Sequence, residues 1–310
     1  MTAALALLCA SLAAAPQLPG GWLGLQVLGW TADGSALAWK GADSEPRSEA
    51  GDELWYLVVT DARARPRRVF KLGEDAGPLS PCAPAACAGK AWRAAEPEAA
   101  AEAWQAQNPV SASRKAKPAL AIGEGKPAGE LEGVALSLAL VRSGKGCPVI
   151  ALRGQLGEAS ATLAEDRCGP GEEEERQLLS AAELAWSPDG SRVAVAWTVR
   201  RFTVSGGGAP GAVRAHMAVV SRRSFATVDL LDAGAGKALG AIAEKLDGAG
   251  FPIAHRGKAG KRRAATEVYF APGFEKEARE AAALAGAAPE AVKPLDWKSP
   301  HAITVAAGGR

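Results

Sequence analysis

From Trp22 to about Arg223, apolar residues mostly alternate with polar ones or gather in short runs bounded by Gly, Pro and Asp, which is the signature of strands. Glu53 to Val59, Pro148 to Leu152, Ala159 to Leu163 and Ala215 to Val220 are such runs, and Val134 to Val141 is a continuous apolar run suited to the inside of a sheet. The period then changes. Thr227 to Leu231 is a strand, and Leu239, Ile242, Ala243 and Leu246 share one helical face. Phe251 to Ala254 and Thr266 to Phe270 are strands again; Phe274, Ala278, Ala281 and Ala285 mark a second helix, and Pro294-Leu295 with Ala302 to Val305 ends the chain in β. The order β-α-β-β-α-β predicts a split βαβ pattern with both helices on one face of a small sheet. The chain is thus expected to be α+β: a β-rich domain over 16–223, then a small βαββαβ domain over 224–310.

Two hairpins of the first domain share a motif. Trp30-Thr31-Ala32-Asp33-Gly34-Ser35 and Trp186-Ser187-Pro188-Asp189-Gly190-Ser191 each precede an alternating strand. Asp-Gly predicts the positive φ angles of a tight turn, and the Trp packs beside the returning strand. These hairpins resemble those of TolB-type and WD-repeat propeller blades, and the resemblance implies a divergent small propeller. Blades recur every 40–45 residues or so, whereas Trp30 and Trp186 lie 156 positions apart. An irregular sheet or sandwich with two unrelated hairpins, or another duplicated β-fold, therefore stays open beside the propeller. Either way the motifs build turns and core.

Residues 89–130 interrupt the pattern as an insert rich in Ala, Pro, Lys and Glu, with a short helix expected from Pro97 to Gln107, stopped by Asn108-Pro109, and a flexible loop beyond it. Glu172 to Arg176 is a charge run read as a solvated loop, a cation site at Glu172 to Glu175 being the disfavoured reading. Ser205 to Gly211 is read as a hairpin tip, since it lacks the Lys-Ser/Thr of a phosphate loop.

The last third carries a second resemblance. VDLLDAGAGKALGAIAEKLDGAGFPI, TEVYFAPGFEKEAREAAALAG, VKPL and ITV resemble, in spacing, the C-terminal domain of LytR-type cell-envelope proteins over residues ~225–310. That family opens with a strand, a small polar turn and an Ala-rich helix ending in Gly-Phe, followed by a Tyr-containing strand and Pro-Gly. This chain has Asp232-Ala233-Gly234 where the family often has Asn-Gly-Ser. The resemblance implies an envelope-associated binding or accessory module; nothing upstream resembles the glycopolymer transferase that such domains often accompany.

Targeting fits that compartment. MTAALALLCASLAAA has an apolar run and a small-residue stretch before Pro16, and residues 1–15 are expected to be a cleaved secretory signal, with a buried N-terminal helix as the other reading. No later stretch approaches the ~20 apolar residues of a membrane span, so no transmembrane segment is expected in the mature chain, which is read as exported, periplasmic or extracellular. Cys82, Cys87, Cys147 and Cys168 then form an even set and are expected to make two disulfides, Cys82 with Cys87 and Cys147 with Cys168 being the preferred local pairing among three connectivities. A zinc site fits badly, because there is no Cys-x-x-Cys pair and the histidines are remote in sequence.

Chemistry-bearing motifs are sparse. The chain has no Gly-x-Ser-x-Gly elbow, His-Glu-x-x-His helix or dinucleotide fingerprint, and His216, His255 and His301 are read as structural or surface residues. No cofactor, no metal and no catalytic residue is expected. The concrete binding feature is the basic loop His255 to Arg263, in which Arg256, Lys258, Lys261, Arg262 and Arg263 meet no acid. It reads either as a solvated loop or as a contact for an anionic partner. A net charge of +2 and the absence of an aromatic platform near the loop disfavour nucleic acid. The expected function is that of a non-enzymatic exported envelope protein, binding a cell-wall glycopolymer or an envelope protein. An exported hydrolase or transferase with its site in the β-rich domain is the alternative.

Overall fold

The computed structural model describes residues 17–22, 24–42, 55–61, 64–72, 95–111, 129–131, 134–141, 149–156, 159–166, 174–178, 183–203 and 213–309. The expected signal segment, the four cysteines, Glu172 and the Ser205 to Gly211 tip lie outside these residues. The protein is a mixed, β-rich α+β chain, and it divides into two units, Ala14–Arg222 and Arg223–Arg310.

The first unit holds β1 (Gln17–Trp22), β2 (Gly24–Thr31), β3 (Ala36–Ala42), β4 (Trp55–Asp61) and β5 (Pro66–Leu72). After them come helix α1 (Glu98–Gln107) and the short β6 (Val110–Ser111). Four further strands follow: β7 (Gly129–Leu131), β8 (Val134–Val141), β9 (Val149–Leu156) and β10 (Ala159–Asp166). The unit ends with β11 (Glu174–Leu178), β12 (Glu183–Trp186), β13 (Arg192–Thr203) and β14 (Val213–Ser221).

Among the described residues of this unit the strands form three antiparallel sheets. The first is the meander β2-β3-β4-β5 with β6 beside β2; the second is the meander β7-β8-β9-β10. In the third, β11 and β12 both pair with β13, β14 follows, and the N-terminal β1 closes the far side against β14. The first sheet is buried on both faces because its strands are apolar at odd and even positions alike. Leu37, Trp39, Tyr56, Val58 and Val69 pack with Ala194, Ala196, Met217 and Val219 of the third sheet, while Ala38, Leu57, Val59 and Phe70 pack with Ala101 and Trp104 of α1. Trp22, Trp39 and Tyr56 meet edge to face within the first of these cores, at centroid separations of 5.2 and 6.1 Å from Trp22.

The repeated motif builds the same object twice. Thr31 and Ser187 each donate a side-chain hydroxyl to the following Asp at 2.6 Å and accept the N–H of the returning strand, from Ala36 at 3.1 Å and Arg192 at 3.0 Å. Asp33 and Asp189 each accept the backbone N–H two residues on at 3.0 Å. Only the glycine takes a positive φ, +67° at Gly34 and +71° at Gly190. The expected pair of positive φ angles is therefore corrected: the Asp caps the turn with its carboxylate and the Gly alone turns left-handed. The two hairpins touch, with the Trp30 indole N–H donating to the Ala185 carbonyl at 2.9 Å and the Arg192 guanidinium 5.4 Å over the Trp30 ring.

The second unit begins with a 3-10 turn, Arg222–Phe225, followed by β15 (Val228–Asp232), α2 (Ala238–Gly248), β16 (Ile253–Lys258), β17 (Glu267–Phe270), α3 (Glu275–Ala285), β18 (Val292–Pro294) and β19 (Ile303–Ala307). The sheet order is β16-β15-β19-β17-β18. β15 pairs parallel with β16 and with β19, β17 pairs parallel with β18, and β17 meets β19 antiparallel. This corrects the split pattern read from the sequence. Each helix joins strands that are direct neighbours, so two intact βαβ units face opposite ways about a shared β19. Helices α2 and α3 touch each other, which puts them on one face, as right-handed crossovers in both units require.

Local signals explain the boundaries. Gly286 at φ +70° ends α3, and the Ala287 N–H returns to the Ala282 carbonyl at 2.9 Å, closing the last turn. The alanines of α3, four of them buried, let the helix lie close on the sheet. Val228, Leu230, Val268, Ile303 and Val305 form the fully buried side of the sheet under the helices.

Candidate functional site

Alternation along the strands leaves the opposite face of this sheet without a helix. Across it, in register, lie His255 and Gly257 of β16, Asp229 and Leu231 of β15, Thr304 and Ala306 of β19, Glu267 and Tyr269 of β17, and Lys293 of β18. The segment after β18 adds Trp297 and His301. One half of the face is polar. His255 Nδ1 lies 2.7 Å from Asp229 Oδ1, and the His301 ring is parallel to the His255 ring at 6.3 Å. Glycine at 257 makes room for this: a Cβ there would fall 2.7 Å from His255 Cε1.

The other half is aromatic and ionic. Trp297 stands edge-on to Tyr269 with centroids 4.9 Å apart, and at 46% exposure it is the exposed large hydrophobic side chain of the described residues. The Tyr269 hydroxyl donates to Glu267 at 2.8 Å; Lys293 reaches the same carboxylate at 3.1 Å, and Arg263 also pairs with it. The Arg263 guanidinium lies 5.6 Å over the Tyr269 ring. The Tyr269 hydroxyl, Lys293 and Arg263 hold the Glu267 carboxyl below its ordinary 4.5 against a partial burial that opposes them, while burial and the bond to Glu267 push the Tyr269 phenol above 10.0. Between the two halves lies Thr304, 3% exposed, its Oγ1 without a hydrogen-bond partner among the described residues.

The basic stretch is divided by the structure. His255 to Lys258 belong to β16 itself, so the loop shrinks to 259–266, a correction to the loop read from the sequence. The polar run forms a strand because it is a sheet edge, where charge is tolerated and discourages further pairing. Arg256 and Lys258 are exposed on the edge strand, Lys261 and Arg262 are exposed in the loop, and Arg263 folds back to Glu267. The loop is fixed at its base: the Arg263 N–H donates to the Ala233 carbonyl at 2.7 Å and the Gly309 N–H to the Arg263 carbonyl at 3.2 Å. Asp232, in the turn where the resembled family has Asn, does the amide's work as an acceptor, taking the N–H of Gly234 at 2.9 Å and of Gly236 at 3.2 Å. Those two N–H groups lower its carboxyl below the ordinary 3.8.

Sequence reasoning assigned Arg263 to a site and missed Asp229, Glu267, Tyr269, Lys293, Trp297 and Thr304. The aromatic platform expected to be absent near the basic loop is present, in Tyr269 and Trp297. His216 is a core residue, 3% exposed and stacked on Trp197 at 5.5 Å. Cys82, Cys87, Cys147 and Cys168 lie outside the described residues. Among the described residues there is no group of three His, Cys, Asp or Glu side chains arranged for a metal ion, and no helix long and apolar enough to cross a membrane.

What the face offers is recognition: a half-exposed indole held by a second ring, beside hydrogen-bond donors and acceptors of both charges. No protein-family model, curated protein or solved structure matches this chain.

Proposed function

We propose that this is a non-enzymatic, exported cell-envelope protein whose C-terminal unit binds a cell-wall component. The observation that carries the reading is the helix-free sheet face with Trp297 half-exposed on Tyr269. A large aromatic left open beside ordered polar groups is the composition of a binding surface. The sequence resemblance to LytR-type C-terminal domains supports the compartment, and the expected signal over residues 1–15 agrees with it.

We read the first unit as a divergent small propeller. Supporting this reading among the described residues are three antiparallel sheets, the Asp-Gly-Ser turn that joins β2 to β3 and again β12 to β13, and the pairing of β1 with the last sheet from the other end of the unit.

Co-sedimentation of the full chain with purified sacculi tests the function. Binding that falls at least tenfold in Trp297→Ala supports it. Absence of binding removes the wall as partner, and a partner protein captured through Trp297 instead makes the module a protein-binding one.

A further inference from the structure

We infer that the unit recognised by this face is a pyranose sugar, stacked on Trp297 and hydrogen-bonded by the Glu267 cluster; the inference rests on the binding role proposed above. Trp297 is held edge-on by Tyr269 and still exposes 46% of its surface, so an open aromatic surface is fixed before any ligand arrives. Preorganisation of this kind lowers the ordering cost of binding. The face of an indole is electron-rich, and the axial C–H bonds of a pyranose carry the complementary positive partial charge.

The polar neighbours select among flat ligands. Glu267 accepts from Tyr269, Lys293 and Arg263, so a carboxylate, a phenol and two cations form one connected group on the same face. A sugar hydroxyl donates and accepts at once, and such a mixed group satisfies both roles. A nucleic-acid strand asks for something else: cations along its phosphates and successive stacking rings. Here both cations of the cluster are engaged by Glu267, Asp229 adds a second carboxylate, and the exposed rings, Trp297 and His255, stand in different halves of the face instead of in succession. An apolar peptide anchor asks for a greasy floor, whereas the floor contains Thr304.

The experiment titrates the full chain with oligomers of an N-acetylated hexosamine, oligomers of glucose and a single-stranded oligothymidylate, with sacculus co-sedimentation in parallel. Binding of either sugar series, weakened at least tenfold in Trp297→Ala, partly retained in Trp297→Phe and weakened in Glu267→Gln, is the expected result. Sugar binding indifferent to Trp297 overturns the assignment. Oligothymidylate bound through Trp297 in place of sugar overturns it in favour of nucleic acid. Sacculus binding that needs Trp297 while neither sugar series binds leaves the envelope role standing and overturns the sugar. Loss of both overturns both. Because Trp297 is half-exposed, its replacement leaves the fold intact, and an unchanged denaturation midpoint verifies this.

Discussion

Trp297 meets Tyr269 edge-on at 4.9 Å, and Tyr269 in turn donates its hydroxyl to Glu267 at 2.8 Å. One exposed ring is thereby tied, through a second ring, to a carboxylate that two cations also share. The face is ordered by its own contacts.

Thr304→Val removes a buried hydroxyl that has no hydrogen-bond partner among the described residues, at nearly constant volume. Burying an unsatisfied polar atom costs on the order of 1 kcal/mol or more, so the variant should be about 1 kcal/mol more stable. Denaturant unfolding measures the gain. A loss of stability would show that the hydroxyl is satisfied.

Glu267 gives the C-terminal unit an acid dependence. Its folded pKa lies below its ordinary 4.5, so its stabilising contribution is complete above about pH 4.5 and disappears as pH falls through the lower folded value. Glu267→Gln should lose roughly 1 kcal/mol at neutral pH, a modest figure because Arg263 and Lys293 are partly solvated. The variant should also show a flatter decline below pH 4.5. Stability curves from pH 7 to pH 3 measure both; equal slopes would contradict the account.

Gly34→Ala and Gly190→Ala force a Cβ into left-handed backbone at φ +67° and +71°, where no atom crowds either position. The cost is then conformational, about 1 kcal/mol each. Gly240→Ala is the control, since this exposed site in α2 also has open space but ordinary helical backbone. It should stabilise by up to about 1 kcal/mol. Thermal and denaturant midpoints decide the signs.

The proposed export predicts a mature chain starting at Pro16 and carrying two disulfides. Intact mass should show no alkylation of Cys82, Cys87, Cys147 or Cys168 before reduction and four additions after it. Four free thiols in the exported protein would contradict the disulfides.

Much of the fold was legible because it rests on local periodicity. The change from period two to helical spacing near Thr227 marks the passage from the first unit to the second, and Gly250 and Gly286, both at positive φ, punctuate the helices. Strand pairing was less legible. Nothing local tells β16 to lie directly beside β15, and the split arrangement has the same order of elements along the chain. The site was the least legible part. Asp229, Glu267 and Thr304 are scattered over about 75 positions and only the sheet register brings them to one face, while the segment after β18 carries Trp297 there. The basic stretch looked like a site because its residues are contiguous, yet the structure spends Arg263 on Glu267 and turns Arg256 and Lys258 toward the sheet edge. The matched hairpins show the converse: a motif repeated in the sequence was repeated in the structure hydrogen bond for hydrogen bond.

Hydroxyl-radical footprinting of the full chain, with and without solubilised sacculus fragments, tests the central claim most directly. Trp297, Tyr269, His255 and His301 should lose reactivity together on binding, while Phe274 on the helix side stays unchanged. Binding that leaves Trp297 as reactive as in the free protein would contradict the helix-free face as the binding surface.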